Sequence, residues 1–296
     1  MGEQEERRRR SLGEQWPIRA ATPVPEQLSA PMLAAMRYGE DDGPLAIAHR
    51  GGVGLGPENT LATFARATAL GLRYLETDVQ TTRDGDLVCF HDVALRRVTG
   101  VEGTVADHST RSLRRLRVDG SEPIPTLAEA MGSFPATRFA IDLKDEASGR
   151  ALVSLLVQNP SWAERVCIAG AWSNRLLRVQ RAVPDVTTAL GWRALTTLIA
   201  ASRSYARPPA RVASGTFAHV PLRLGRVPIY AERIVRRAHA LDIRVAVWTV
   251  NDQPTMHQLL DAGVDAIITD HPDLLREVLI ARGQWAPLAG RRTAPA

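Results

Sequence analysis

The chain of 296 residues has only two cysteines, Cys89 and Cys167, a single lysine and no long apolar run. Two distant cysteines without neighbours at metal-binding spacing exclude a disulfide framework and a structural zinc site, and they allow a reducing compartment. Runs such as Leu45-Ala46-Ile47-Ala48 and Val245-Ala246-Val247 fall far short of the roughly 18 consecutive apolar residues that a spanning helix needs, so no transmembrane segment is expected. Glu3, Glu5 and Glu6 precede four arginines at 7–10, and no apolar stretch follows. A secretory signal is therefore not expected and a cytoplasmic location is. The formal net charge of +5 is not concentrated in basic blocks, so no nucleic-acid partner is expected. What is present is 45% hydrophobic content, enough for one large core or two small ones, which excludes disordered and collagen-like classes.

Residues 1–43 mix charges with Pro17, Pro23, Pro25 and Pro31 and lack sustained periodicity, which reads as an N-terminal arm, at least partly disordered. From Leu45 onward, short apolar β-branched runs ending in polar residues alternate with amphipathic stretches. Strands are expected at 45–49, 74–80, 87–91, 138–144, 165–169, 187–191, 212–220, 244–249 and 265–270. Helices are expected at 60–70, 126–131, 231–241 and 256–262. This alternation predicts an α/β fold of parallel strands with helical crossovers. The span 44–282 suits a single (β/α)8 TIM barrel, whose usual size is about 250 residues, with a doubly wound sheet as the other architecture and 283–296 as a C-terminal tail. Nine runs compete for eight barrel positions, and one of 187–191 and 212–220 is expected to be a loop or an extra extended piece. Loops at 99–124 and 202–228 are expected to shape a pocket. His49, Glu76, Asp78, His91, Asp142, Lys144, Trp248, Thr249 and Asp270 all fall at the ends of expected strands, which a barrel gathers into one mouth.

Glu76 and Asp78 flank Thr77 on an expected strand, so both carboxylates project from one face. Burying two like charges together is costly unless a cation or bound protons compensate. Asp142 supplies a third carboxylate, and hard oxygen donors with water suit Mg²⁺, Mn²⁺ or Ca²⁺ rather than zinc. His49 and His91 titrate near neutrality and can serve as general acid and general base around one scissile bond. Arg50 and Lys144 are cations suited to phosphate oxygens. Lys144 is the one lysine among 37 basic residues, so its place beside Asp142 invites a chemical reason, with a salt bridge to Asp145 or Glu146 as the alternative. Trp248 offers a wall for the organic part of a substrate or packs over the barrel rim. The remaining histidines, His108, His219, His239, His257 and His271, fall in expected loops or helices and receive no role. The glycines from Gly51 to Gly56 lack dinucleotide spacing and read as a tight turn before Pro57-Glu58-Asn59-Thr60 caps a helix.

Together, His49-Arg50-Gly51, Pro57-Glu58-Asn59-Thr60, Glu76-Thr77-Asp78-Val79-Gln80, Asp84-Gly85, His91-Asp92, Ile141-Asp142-Leu143-Lys144, Val247-Trp248-Thr249-Val250-Asn251, Gly263-Val264-Asp265 and Thr269-Asp270 resemble the glycerophosphodiester phosphodiesterase family. That resemblance implies a TIM barrel of the phospholipase C-like phosphodiesterase type. It implies hydrolysis of small-molecule glycerophosphodiesters to glycerol 3-phosphate and an alcohol, with one divalent cation, Mg²⁺ or Ca²⁺ with Mn²⁺ as an option. It assigns Glu76 and Asp78, with Asp142, to the metal, His49 and His91 to acid/base catalysis, Arg50 and Lys144 to phosphate, and Glu58 to supporting the same site. Where the family usually places glutamate, this chain has Asp142, shorter by one methylene.

Two alternatives stand beside this reading. One is a lysophospholipase D or sphingomyelinase D-like lipid phosphodiesterase, whose lysine and two-histidine site is shared. The other is a catalytically silent barrel acting as a binding scaffold through the arginines at 7–10. The sequence names no oligomeric state.

Overall fold

A computed structural model of the chain describes residues 36–41, 43–203, 216–224, 227–228 and 231–285. They fall in one compact unit, Ser29–Ala286, and the second unit, Met1–Leu28 with Pro287–Ala296, lies outside the described residues, as does most of the expected arm and tail.

Eight strands run parallel to their neighbours: β1 (Leu45–Ala48), β2 (Tyr74–Thr81), β4 (Arg138–Leu143), β5 (Val166–Ala169), β6 (Thr187–Thr188), β7 (Phe217–Pro221), β8 (Arg244–Trp248) and β9 (Ala266–Thr269). β1 pairs with both β2 and β9, and the sheet continues through β4, β5 and β6 on one side and β8 and β7 on the other. The remaining gap, between β6 and β7, is closed by a parallel bridge from Ala189 to Phe217, with Leu190 N donating to Phe217 O at 2.7 Å and Thr216 N to Thr188 O at 2.9 Å. This is the expected (β/α)8 barrel. One expectation is corrected: both runs around 187 and 217 are barrel strands. The supernumerary strand is β3 (Leu87–Cys89), which runs antiparallel to β2. Asp84-Gly85 supplies the reason, because Gly85 at φ +92° makes a tight turn that folds the chain back as a hairpin instead of a crossover.

Alternation along each strand divides the apolar residues between two layers. Ala46, Ala48, Leu75, Phe139, Ile141, Val166, Ile168, Ala218, Val220, Val245, Val247 and Ile267 belong to the cluster shared with the helices. Their neighbours Leu45, Ile47, Tyr74, Ala140, Cys167, Ala189, Phe217, Ala246, Ala266 and Ile268 form a second cluster inside the barrel. Tyr38, from the end of the expected arm, joins that interior cluster and stacks edge-on against Tyr74 and Phe217 at 5.1 and 5.5 Å.

Helices form where a cap meets an apolar stripe. Thr60 caps α1 (Leu61–Ala69) by accepting from Thr63 N at 3.3 Å, and Thr126 with Glu129 makes a reciprocal capping box on the helix Leu127–Ser133. The expected helices at 231–241 and 256–262 are found as Ala231–His239 and Gln253–Asp261. The expected loop at 99–124 is an ordered lobe instead: short helices and a two-stranded ribbon enclose Val88, Phe90, Leu95, Val98, Val105, Leu113, Val118 and Ile124. Its apolar residues are too widely spaced for a strand or helix period to reveal them. Most of the other expected loop, 202–228, lies outside the described residues, apart from β7 and a short ribbon.

Phe64 of α1 is fully buried and stacks edge-on against Phe134 and Phe139, both at 6.1 Å. It also lies directly under Gly51, where a Cβ would come within 2.4 Å of its ring and φ is +84°, so the turn carrying His49 and Arg50 rests on this ring. Phe64→Ala is expected to cost about 3–5 kcal/mol of stability, the usual range for a large-to-small change in a packed core. Denaturant unfolding monitored by far-UV circular dichroism measures it.

Candidate active site

The inward-facing series on three strands runs from apolar or aromatic at the base to ionisable at the carboxyl end, with Tyr74, Glu76, Asp78 on β2, Ala140, Asp142, then Lys144 past β4, and Phe217, His219 on β7, while on β8 it runs from Ala246 to Trp248. Glu76, Asp78, Ala140, Asp142, Lys144, His219 and Trp248, with His49 after β1 and His91 after β3, line a pocket of about 410 Å³. Alanines at 140, 169 and 189 leave the space inside the barrel that larger side chains would fill.

The Pro57-Glu58-Asn59-Thr60 element locks one side of this pocket through three consecutive side chains. Glu58 receives Arg50 Nη1 at 3.1 Å on both oxygens and a two-pronged contact from Arg97, at 2.6 and 2.8 Å. Asn59 donates to Asp78 Oδ2 at 3.0 Å while accepting from Thr77 Oγ1 at 2.7 Å. Thr60 is the α1 cap. Glu58 therefore supports Arg50 from behind rather than facing the pocket, and Arg97 comes from the lobe after β3.

Asp78 and Asp142 are register partners across β2 and β4. Lys144 Nζ sits between them, 2.8 Å from Asp78 Oδ1 and 2.6 Å from Asp142 Oδ2. Asp145 and Glu146 are engaged elsewhere, Asp145 by Thr81 and by the backbone at 147 and 148, Glu146 by Arg175. Burial opposes the charged form of Asp78, but the Lys144 ammonium, the His91 charge and the Asn59 hydrogen bond outweigh it and hold the carboxyl below its usual range. Lys144 is correspondingly raised: burial opposes its charge and the two aspartates outweigh burial. Glu76 has no such partner. Among the described residues it accepts a hydrogen bond from Arg50 N alone, at 2.8 Å, and burial together with the adjacent Asp78 charge pushes its carboxyl well above the ordinary range.

The histidines are held alike. His49 Nδ1 bonds Asp270 Oδ1 at 2.7 Å, and Asp270 is fixed by Asn251 Nδ2 on its other oxygen at 2.7 Å. His91 Nδ1 bonds Asp92 Oδ1 at 2.6 Å, and Asp92 also pairs with Arg97 Nε. A carboxylate on Nδ1 fixes the tautomer and leaves Nε2 as the working nitrogen. His49 Nε2 lies 3.9 Å from Glu76 Oε2. Burial works against protonation of His49, but the Asp270 bond and the Glu76 and Asp270 charges together lift it above its ordinary value. Asp92 is depressed to about 2, first by the Arg97 hydrogen bond.

Every sequence-predicted site residue except Glu58 lines the pocket. His91 arrives by a route that the strand pattern did not indicate: it follows the antiparallel β3, and Phe90 N bonding Asp78 O at 2.9 Å brings it back over β2. Asp92, Arg97, Asn251 and Asp270 were not among the predicted site residues, although Asp92 follows His91 directly and Asp270 ends an expected strand. Trp192 and Leu195 also line the pocket, with no sequence signal beyond an apolar helix face. His219 corrects an expectation, because it stands on β7 at the pocket wall rather than in a loop or helix.

Glu76, Asp78 and Asp142 are the hard oxygen donors that a divalent cation takes, and the raised Glu76 carboxyl is the charge imbalance that such a cation would relieve. Lys144 meanwhile occupies the space between Asp78 and Asp142, and no group of three acidic, histidine or cysteine side chains among the described residues is gathered as a ligand cluster. The residues fit the cation in chemistry and charge.

The sequence model of the Glycerophosphoryl diester phosphodiesterase family matches residues 49–274. The chain belongs to this family. Among curated relatives, it is 37% identical to the "Probable glycerophosphodiester phosphodiesterase 2" of Mycobacterium tuberculosis, over 86% of this chain and 97% of that protein. It is 25% identical to Lysophospholipase D GDPD1 of Rattus norvegicus, over 79% of this chain and 85% of that one. A phosphodiesterase of Oleispira antarctica, solved in complex with sn-glycerol-3-phosphate, superposes with a TM-score of 0.66 at 24% identity, covering 80% of this chain and 97% of the other. That likeness supports the barrel fold of this family member.

In this phosphodiesterase-family barrel the Asp270 carboxylate raises His49, so Asp270→Asn is expected to lower the His49 pKa. The protonated form would then be lost at lower pH than in the wild type. An NMR titration of the histidine ring signals in the presence of chelator checks the direction.

Proposed function

We propose that this protein hydrolyses glycerophosphodiesters to glycerol 3-phosphate and an alcohol. The observation that carries the reading is the pair of imidazoles, each tethered through Nδ1 to a carboxylate, that line one pocket together with a cluster of acidic and basic side chains. Family membership and the relatives' names support the same reaction.

Arg50 and Lys144 would hold the phosphodiester anion, the guanidinium through two oxygens and the ammonium as a point charge. One imidazole Nε2 takes the proton from the attacking water as its oxygen bonds to phosphorus. The other returns a proton to the ester oxygen as the P–O bond breaks, which leaves the alcohol neutral. Asp270 and Asp92 hold each ring in place and favour its charged form during transfer. A divalent cation on Glu76, Asp78 and Asp142 would supply neutralisation of charge on a non-bridging phosphate oxygen.

A specific feature favours a second substrate for the same chemistry. The wall opposite the charges is apolar, built from Ala169, Ala171, Leu190, Trp192 and Leu195, and it offers room for part of an acyl chain, as a lysophospholipid would present. The scaffold alternative depended on the arginines at 7–10, which lie outside the described residues.

Purified protein is expected to release glycerol 3-phosphate from glycerophosphocholine and glycerophosphoethanolamine with Mg²⁺, Mn²⁺ or Ca²⁺, and to lose that activity in chelator. Release of choline from lysophosphatidylcholine, leaving lysophosphatidic acid, without glycerol 3-phosphate release from the glycerophosphodiesters would move the substrate to the lipid class, and no release from either would remove the hydrolase reading. His49→Ala and His91→Ala are each expected to lower turnover about 10²-fold or more, the usual contribution of a general acid or base. A variant turning over at the wild-type rate would exclude its histidine from proton transfer.

A further inference from the structure

The pocket has two unlike halves. Its charges, from His49 round to Lys144, stand on β1, β2, β3 and β4, whereas the wall on β5, β6 and β8 is built from alanines, Gly170, Leu190 and Trp248. His219 is the imidazole in this second half. It projects inward two residues after Phe217, whose ring packs edge-on against it at 6.3 Å. Its partner in register on β8 is Ala246, which offers it no polar side chain. The ring Nε2 is buried and has no hydrogen-bond partner among the described residues. Burial also keeps the ring neutral, pushing its pKa down to about 4 against the opposing charge of Asp142.

Resting on the phosphodiesterase reading, we propose that His219 selects substrate by hydrogen-bonding a hydroxyl on the phosphate-ester arm that enters the apolar half of the pocket. A neutral imidazole carries one donor and one acceptor, and a hydroxyl matches both. An alkyl arm would fill the same apolar wall but leave the imidazole unpaired. Sites built around a buried polar group reject analogues that lack its partner far more strongly than they reject a change of one methylene. Arg50, Lys144 and His219 line the same pocket, so an ester arm that extends away from a phosphate held by Arg50 and Lys144 enters the half that carries His219.

The test compares binding of sn-glycerol 3-phosphate with that of n-propyl phosphate, which has the same carbon chain without hydroxyls, by titration calorimetry near pH 7.5. The wild type is expected to prefer glycerol 3-phosphate by about tenfold or more, a modest instance of this kind of discrimination. His219→Phe or His219→Leu is expected to bring the ratio close to one by weakening glycerol 3-phosphate alone, and His219→Gln, which keeps a donor and an acceptor, to restore part of it. Thermal unfolding identifies which of these variants are folded. The proposal is overturned by a wild type with no preference, by a ratio that survives in the folded Phe or Leu variant, or by both ligands weakening equally. Hydrolysis of glycerophosphocholine, assayed in parallel, reports separately on the reaction: selective binding that depends on His219 in a protein without hydrolysis would sink the activity and leave this subsite standing.

Discussion

Glu76 and Asp78 stand two residues apart on one strand, and the pleat sends both carboxylates to the same buried face, where Asp142 meets Asp78 across the sheet. Water cannot solvate this charge, so the surroundings must compensate it. Lys144 bridges the two aspartates, Arg50 reaches toward Asp78 and is itself held by Glu58, and Asn59 donates to the remaining Asp78 oxygen. Removing one partner from such a buried pair costs about 3–5 kcal/mol, because the other charge is left uncompensated. The strand-end glycine turn, the α1 cap and the Arg97 contact from the lobe after β3 all converge on this requirement. Among the described residues, Glu76 has only His49, at 3.9 Å, as a neighbouring cation when that ring is protonated, and its displaced titration marks where the net charge of the cluster is unresolved.

The same geometry explains why a chain rich in arginine uses lysine at position 144. A guanidinium is a planar fork suited to one carboxylate or two phosphate oxygens, as Arg97 shows on Glu58. Between Asp78 Oδ1 and Asp142 Oδ2 the space calls for a compact charge with donors in several directions, which an ammonium supplies. Lysine is thus explained by the spacing of two adjacent parallel strands.

Opposite this charged side the barrel is lined by small residues. Alanines at inward positions keep the interior open above Tyr74 and Phe217, which with Tyr38 close the base. The result is a pocket with a charged face for the phosphate and an apolar face for what the phosphate carries. His219 interrupts the apolar face with one neutral polar group.

Much of this was legible in the chain. Period-two spacing placed Glu76 with Asp78 and Asp142 with Lys144, because side-chain direction in a strand is a local property, and the βα alternation predicted the barrel for the same reason. Caps at Thr60 and Thr126 were likewise local. Other features required the fold. Which of nine extended runs closes the barrel depended on pairing between β6 and β7, far apart in the chain, and on a glycine turn that sent β3 backward. His49 meets Asp270 across 221 positions, and Arg97 meets Glu58 across 39. His219 was passed over because a single histidine in a short strand has no pattern of its own. Sequence by itself determined the chemical types and their local facing, since those follow from covalent geometry and strand period. Tertiary structure alone decided which charge faces which, since burial and partnership exist only once distant strands are brought side by side.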